Sequence, residues 1–263
     1  AAVSVDAKAE NQIVVASGAN TMLKDDDLPD KLLTPETVLV LQMEIPLEAN
    51  CKIILSGRRE SVLEDVAAQI DGEVMIAPLD VSDNSAVVSV ANEIIDKHGR
   101  IDIGVFSAGI NVRDRNWHNV SIEDWDSVLN IDLNGAFYCC QAVLPTMRTQ
   151  GSGLIINISS MAAKNVGKLT GPAYTSAKHA MNAMTHSLIL EERNNGIRAT
   201  AICPGEVATP ILEKRPIPVS AEDQARILQS EDLGELVLFV AKQPPHVTLN
   251  EILINPTWNR HEA

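Results

Sequence analysis

Long apolar runs are missing from this chain. The longest, Val38–Leu47, is broken by Gln42 and Glu44 and is too short to cross a bilayer. No basic-then-apolar segment opens the sequence, so a soluble, cytoplasmic protein is expected. Cysteine is scarce too. Cys51, Cys139, Cys140 and Cys203 show no C-x-x-C or Cys/His spacing, which argues against zinc and reads as buried thiols in a reducing compartment. Positive charge is outweighed, 21 Lys and Arg against 35 Asp and Glu, for a net charge of −14. Such a field repels nucleic-acid backbones and anionic membranes, so neither is expected as a partner. Solubility accounts for most of that acidity, and a local basic spot can still hold a nucleotide. Aromatics make up 3% of the residues, and with two Tyr in the chain the placement of each carries weight.

Apolar residues are nonetheless plentiful, 45% of 263, enough for a substantial core and against disorder. Short Val- and Ile-rich runs recur at Ile53–Leu55, Val74–Leu79, Ile103–Phe106, Leu154–Ile158, Ala199–Ile202 and Glu251–Ile254. None alternates strictly, as expected of strands covered on both faces. Helical patterns fall between them, at Ser61–Ile70, Ser85–His98, Ile122–Gln150, Ala173–Asn194 and Ser230–Ala241. The alternation predicts an α/β fold with a doubly wound, mostly parallel sheet in three α/β/α layers, Rossmann-like, as one domain over residues 1–263. The irregular stretch Glu213–Gln224, with Pro216 and Pro218, is expected to form a substrate lid.

In such sheets ligands meet the carboxyl ends of the strands. There the chain offers Ser56-Gly57-Arg58-Arg59, Asp80, Ser107-Ala108-Gly109, Ser159-Ser160 and Pro204-Gly205. Tyr174 and Lys178 lie four apart on one predicted helix and so share a face. An ammonium there favours its neighbour's phenolate, and Ser160 upstream supplies a hydroxyl for a substrate oxygen. Each residue alone has an ordinary reading, a helical Tyr with a surface Lys and a strand-end Ser. Their combination favours an alcohol–carbonyl redox site. Met161 and the loop Asn111–Trp117 are positioned to line a substrate pocket, while His179 and His186 are assigned no role.

With these residues in order, the stretch from Cys51 to Asn259 resembles a classical short-chain dehydrogenase/reductase. The family's N-A-G turn is matched by Ser107-Ala108-Gly109, its Ser by Ser160, its Tyr and Lys by Tyr174 and Lys178, and its P-G segment by Pro204-Gly205-Glu206-Val207-Ala208-Thr209. The resemblance implies hydride transfer between a nicotinamide cofactor and a small alcohol or carbonyl substrate. It also implies that Tyr174 and Lys178 contact the cofactor, Lys178 at the nicotinamide ribose, and that Pro204, Gly205, Val207 and Thr209 lie along it. In the family's NADP-preferring members a base follows the second strand. Arg58, with Arg59 beside it, matches that position and implies NADP, with NAD possible; the alternative is a solvated helix-start Arg. Asp80, followed by Val81, implies a bond to the adenine amino group, or else a cap on the next helix. A homodimer or homotetramer is the family's usual assembly.

Two departures stand out. Where the family's tetrad carries Asn, Ile131-Asp132-Leu133-Asn134-Gly135 places Asp132, a carboxylate to hold the relay water. The second departure is the missing T-G-x-x-x-G-x-G loop, whose amides would cradle the pyrophosphate. Its one echo is Ser17-Gly18-Ala19-Asn20, followed by Lys24-Asp25-Asp26-Asp27, and this makes Gly18 the candidate. Residues 1–50 instead resemble an internal stretch of ribokinase-type sugar kinases, on Glu10-Asn11-Gln12, Gly18-Ala19-Asn20, Leu33-Thr34-Pro35-Glu36 and Leu41–Glu48. For the sheet's first strand, Ile13–Ser17 is favoured over Val38–Gln42, which leaves a short crossover to Ile53. The leading expectation is reversible oxidation of a secondary alcohol by NADP⁺. A catalytically silent scaffold or chimera of the same fold is the alternative, and a sugar-binding protein using Glu44 a third reading.

Overall fold

The Val- and Ile-rich runs become the strands of one parallel sheet, because a residue flanked by helices on both sides gains from being apolar whichever way it points. The computed structural model describes residues 2–5, 11–14, 38–41, 51–70 and 72–258. In chain order these form β1 (Ala2–Val5), β2 (Asn11–Val14), β3 (Val38–Leu41), β4 (Lys52–Gly57), α1 (Glu60–Ala67), β5 (Val74–Pro78), α2 (Asn84–His98), β6 (Ile103–Phe106) and α3 (Ile122–Leu129). They continue with α4 (Ala136–Gln150), β7 (Gly153–Ile158), α5 (Pro172–Glu192), β8 (Ile197–Pro204), α6 (Ala221–Gln224), α7 (Ser230–Ala241) and β9 (Glu251–Ile254).

Seven strands form a wholly parallel sheet in the order β5-β4-β3-β6-β7-β8-β9. The winding reverses between β3 and β6, which is the switch point where such folds open a crevice. Two apolar layers cover the sheet. One includes Leu55, Ile156, Ile202 and Val237, the other Ile54, Ile94, Val143, Met147 and Ile155. The expected α/β architecture is thus present, and every predicted strand and helix from Ile53 onward falls on an observed element.

One expectation is overturned. The strand at the sheet's centre is Val38–Leu41, paired with both β4 and β6, and not the favoured Ile13–Ser17. Asn11–Val14 pairs antiparallel with Ala2–Val5 in a separate two-stranded sheet. Only ten residues, 42–51, separate β3 from β4, fewer than the dozen or more a parallel crossover ordinarily takes, so crossover length is a poor guide here. Gly18, Glu44 and most of the sugar-kinase-like residues lie outside the described residues. Among the described residues, no helix is long and apolar enough to cross a membrane.

The long helix predicted over Ile122–Gln150 is α3 and α4 joined through a π-helical turn, Asn130–Gly135. Wider turns of this kind insert a residue and often stand at functional positions. Asp132 sits inside it.

Candidate active site

Gly171, at φ 74°, brings the chain into α5. A side chain there would be strained and would collide with the Arg115 carbonyl, so glycine lets the loop after β6 pack against the start of α5. Pro172 then occupies the first helical turn, where its missing N–H costs nothing. From this start Tyr174 and Lys178 fall on one face, with Lys178 Nζ 5.5 Å from the centre of the Tyr174 ring. Both line a cavity of about 160 Å³ at the carboxyl ends of β6, β7 and β8.

Lys178 is buried. Its ammonium donates to the Ile158 carbonyl at 3.1 Å and stands 3.6 Å from Asp132 Oδ2. That is an ion pair just beyond hydrogen-bond length. Asp132 Oδ1 accepts from the Ile110 amide at 2.7 Å. Burial raises the Asp132 carboxyl from 3.8 to about 6, against the opposing pull of Lys178 and that amide. Bare backbone at Gly109 permits the approach, since a Cβ there would lie 3.2 Å from Asp132 Oδ2 and 3.3 Å from Lys178 Nζ.

Ser160 follows β7, and its Oγ accepts from the Ala162 amide at 3.1 Å, capping the short turn Met161–Ala163. A hydroxyl that accepts there keeps its proton to donate elsewhere. Its neighbour Ser159 is buried and donates to the Lys178 carbonyl at 3.3 Å.

The structure brings Ser107, Gly109, Ser160, Tyr174 and Lys178 together with Pro204, Gly205, Val207 and Thr209 around the cavity. Ala108 lies between two of them, and Asp132 stands behind Lys178. Arg58 and Arg59 follow β4, and Asp80 and Val81 follow β5, so these four are set apart from the cavity. Arg58 and Asp80 are exposed, and Val81 is buried beside Gly135. The capping alternative for Asp80 is corrected. Asp83 caps α2 by accepting from the Ser85 and Ala86 amides, whereas Asp80 accepts from the Ser82 amide and hydroxyl.

Met161 does not reach the cavity, while Asn111 and Arg115 do. Asn111 donates to the Thr170 carbonyl at 3.0 Å. Arg115 from the expected pocket loop, Glu206 from the Pro204–Thr209 segment and Arg215 from the expected lid line the cavity, and Thr170, which no expectation named, joins them. Arg215 pairs with Glu206 at 3.0 Å, which ties the expected lid to the strand-end segment. Burial, reinforced by Arg215, brings the Arg115 guanidinium down to about 10. All four cysteines are buried free thiols, and burial pushes the Cys51 thiol up to about 11. The described residues contain no cluster suited to a metal ion.

A nicotinamide nucleoside fits this donor set. The Ser160 and Thr209 hydroxyls and the Lys178 ammonium line the same cavity as the apolar Ile158, Val207 and Leu233. That combination suits a flat ring and its ribose. The segment after β3, residues 42–51, contains no glycine.

A family model described as short chain dehydrogenase matches residues 45–218. An uncharacterized oxidoreductase of Staphylococcus epidermidis is 31% identical over 209 residues, 80% of this chain and 88% of that protein. Another, from Staphylococcus aureus, is 32% identical over 210 residues, again 80% and 88%. Among solved structures, serine dehydrogenase complexed with NADP⁺ is similar at 28% identity and a TM-score of 0.71, over 78% of this chain and 85% of that one. Levodione reductase shares the fold at 24% identity and a TM-score of 0.74, over 84% and 96%.

Proposed function

Because the chain belongs to the short-chain dehydrogenases, NAD(P)-dependent oxidoreductases of CH–OH groups, we propose that it interconverts a small secondary alcohol and its ketone with NADP(H). The observation that carries this is the shared face of Tyr174 and Lys178, opening with Ser160 onto one cavity. A nicotinamide held there would supply or take up the hydride. In the oxidation direction Tyr174 Oη takes the hydroxyl proton, and the adjacent Lys178 ammonium stabilises the resulting phenolate. The Ser160 O–H donates to the reacting oxygen as negative charge builds on it. Asp132 acts through Lys178, fixing the ammonium from behind. Ser107, Ala108, Gly109, Pro204, Gly205, Val207 and Thr209 would hold the nicotinamide end, and Asp80 and Val81 the adenine.

NADP over NAD is supported by Arg58, exposed at the carboxyl end of β4 with Arg59 next to it. The same reading carries a cytoplasmic homodimer or homotetramer. Tyr174→Phe tests the chemistry. Turnover is expected to fall by about 10²–10⁴-fold, the span of general acid–base catalysis, with NADPH binding retained. Loss of cofactor binding with residual turnover unchanged would contradict the assignment.

A second reading has its own observation. The glycine-free segment after β3 favours a silent scaffold of the same fold that lacks a diphosphate cradle. Titration with NADPH, followed by nicotinamide fluorescence, separates the two. Micromolar binding supports the enzyme, and no binding at millimolar cofactor supports the scaffold.

A further inference from the structure

The cavity beside Tyr174 contains a buried cation that the described residues leave unneutralised. Arg115 is 4% exposed. Its guanidinium donates to the Leu169 carbonyl at 3.4 Å and to the Lys214 carbonyl. Those bonds use two of the five N–H groups an arginine carries, and the Nε–H is buried without an acceptor. Carbonyl oxygens satisfy donors but bring no net charge. Among the described residues no carboxylate pairs with Arg115, whereas the other cavity cations are matched, Arg215 with Glu206 at 3.0 Å and Lys178 with Asp132 at 3.6 Å. Taking a charge out of water without a partner is expensive. Acids are not scarce in this sequence, 35 against 21 basic residues, so an unmatched cation at this position is informative. Burial and the nearby Arg215 bring its pKa only to about 10, so it is charged at neutral pH.

Resting on the reading that this cavity receives the alcohol, we propose that the substrate is a short hydroxy acid or its keto acid, its carboxylate bound by Arg115 and its carbinol carbon beside Tyr174. A carboxylate matches the planar fork of a guanidinium, and charge-assisted bonds of that kind are the strong ones. A cavity of about 160 Å³ favours a short acid over a bulky one. The carboxylate is a handle: no bond to it forms or breaks.

The test compares ligands of near-identical size and shape, one anionic and one neutral. Wild-type protein is titrated calorimetrically, with and without NADP⁺, with lactate against lactamide and with 3-hydroxybutyrate against 3-hydroxybutyramide. In at least one pair the acid is expected to bind tenfold or more tightly than the amide. Arg115→Gln is expected to collapse that ratio towards one, and Arg115→Lys to retain part of it. If every amide in the wild type binds as well as its acid, if no acid binds, or if the ratio survives in folded Arg115→Gln, the proposal is overturned. The wild-type comparison decides even where a variant does not fold. Binding is read without turnover, so the two readings fail separately. An acid preference lost in Arg115→Gln but with no oxidation of any ligand keeps the anion site and sinks the hydride transfer. Oxidation of neutral alcohols with no acid preference does the reverse.

Discussion

β6, β7 and β8 end in residues already engaged with one another, whereas the residues after β4 and β5 stand away from that cluster. On the first side Lys178, Asp132, Gly109 and Ile110 are locked by an ion pair, a hydrogen bond from the Ile110 amide and a close backbone approach. On the second side Arg58 and Asp80 are exposed, and Asp80 bonds only the turn that contains Ser82. Proton transfer needs groups fixed to within a fraction of an ångström before substrate arrives. Nucleotide recognition can be distributed over separate strand ends. Damage to the first side should therefore disturb the folded protein itself, and damage to the second should disturb ligand choice.

The sharpest way to break this contrast is Lys178→Met. It strands a fully buried carboxyl, and removing one partner of such a pair ordinarily costs about 3–5 kcal/mol. Urea unfolding should show that loss, and a midpoint equal to the wild type's would mean the Lys178 side is no more coupled than the other. Asp132→Asn comes next. The folded-state value of Asp132, about 6, lies above its ordinary 3.8. The stability attached to it is therefore complete below pH 4 and lost as pH rises through 6. Wild-type stability relative to Asp132→Asn should fall across that window, and an acid limb near pH 6 in kcat/KM should vanish in the variant. Parallel stability curves would refute the assignment. On the nucleotide side, Arg58→Gln should leave stability within about 0.5 kcal/mol. It should also weaken NADPH by roughly tenfold, the value of one charge-assisted bond, with NADH unaffected. Equal losses for both cofactors would remove the 2′-phosphate reading. The smallest effect is expected for Lys164→Met, which breaks a partly exposed pair with Glu251 at 2.6 Å. Such pairs contribute about 0–1 kcal/mol, so a larger loss would show the outer edge of the sheet to be more coupled than the contrast allows.

The strands and helices from Ile53 onward were legible because burial on both faces leaves an unbroken apolar signature, and each run is bounded by a helical pattern. That Tyr174, Lys178 and Ser160 come together at one cavity was legible because their placement follows from spacing along local elements. β3 was harder. Val38–Leu41 is only four residues long, follows a fair helix start at Thr34-Pro35-Glu36, and is marked as the centre of the sheet only by its pairing with β4 and β6. Arg115 was legible only as one residue of the pocket loop Asn111–Trp117, and not as a buried cation. In Arg113-Asp114-Arg115 one arginine is exposed and the other buried, and the difference comes from Gly171, Leu169 and Lys214, distant in sequence. Asp80 and Asp83 pose the same problem on a smaller scale. Both precede α2 by a few residues, and only the path of the turn decides which one caps it.

The widened turn at Asn130–Gly135 acts as a phase adjuster between two sets of contacts. On its far side α4 presents Cys139, Cys140, Val143 and Met147 to the core, while within it Asp132 is aimed at Ile110. Each helical residue advances the chain by about 100° of rotation. Excising a single residue from this turn would restore ordinary winding and leave the chain unable to satisfy both orientations. Either the hydrophobic seam of α4 would swing towards water, or the carboxyl behind Lys178 would be withdrawn. Shortening this helix by one residue is thus a more severe change than its composition suggests, because the surplus residue keeps the core and the buried lysine in step.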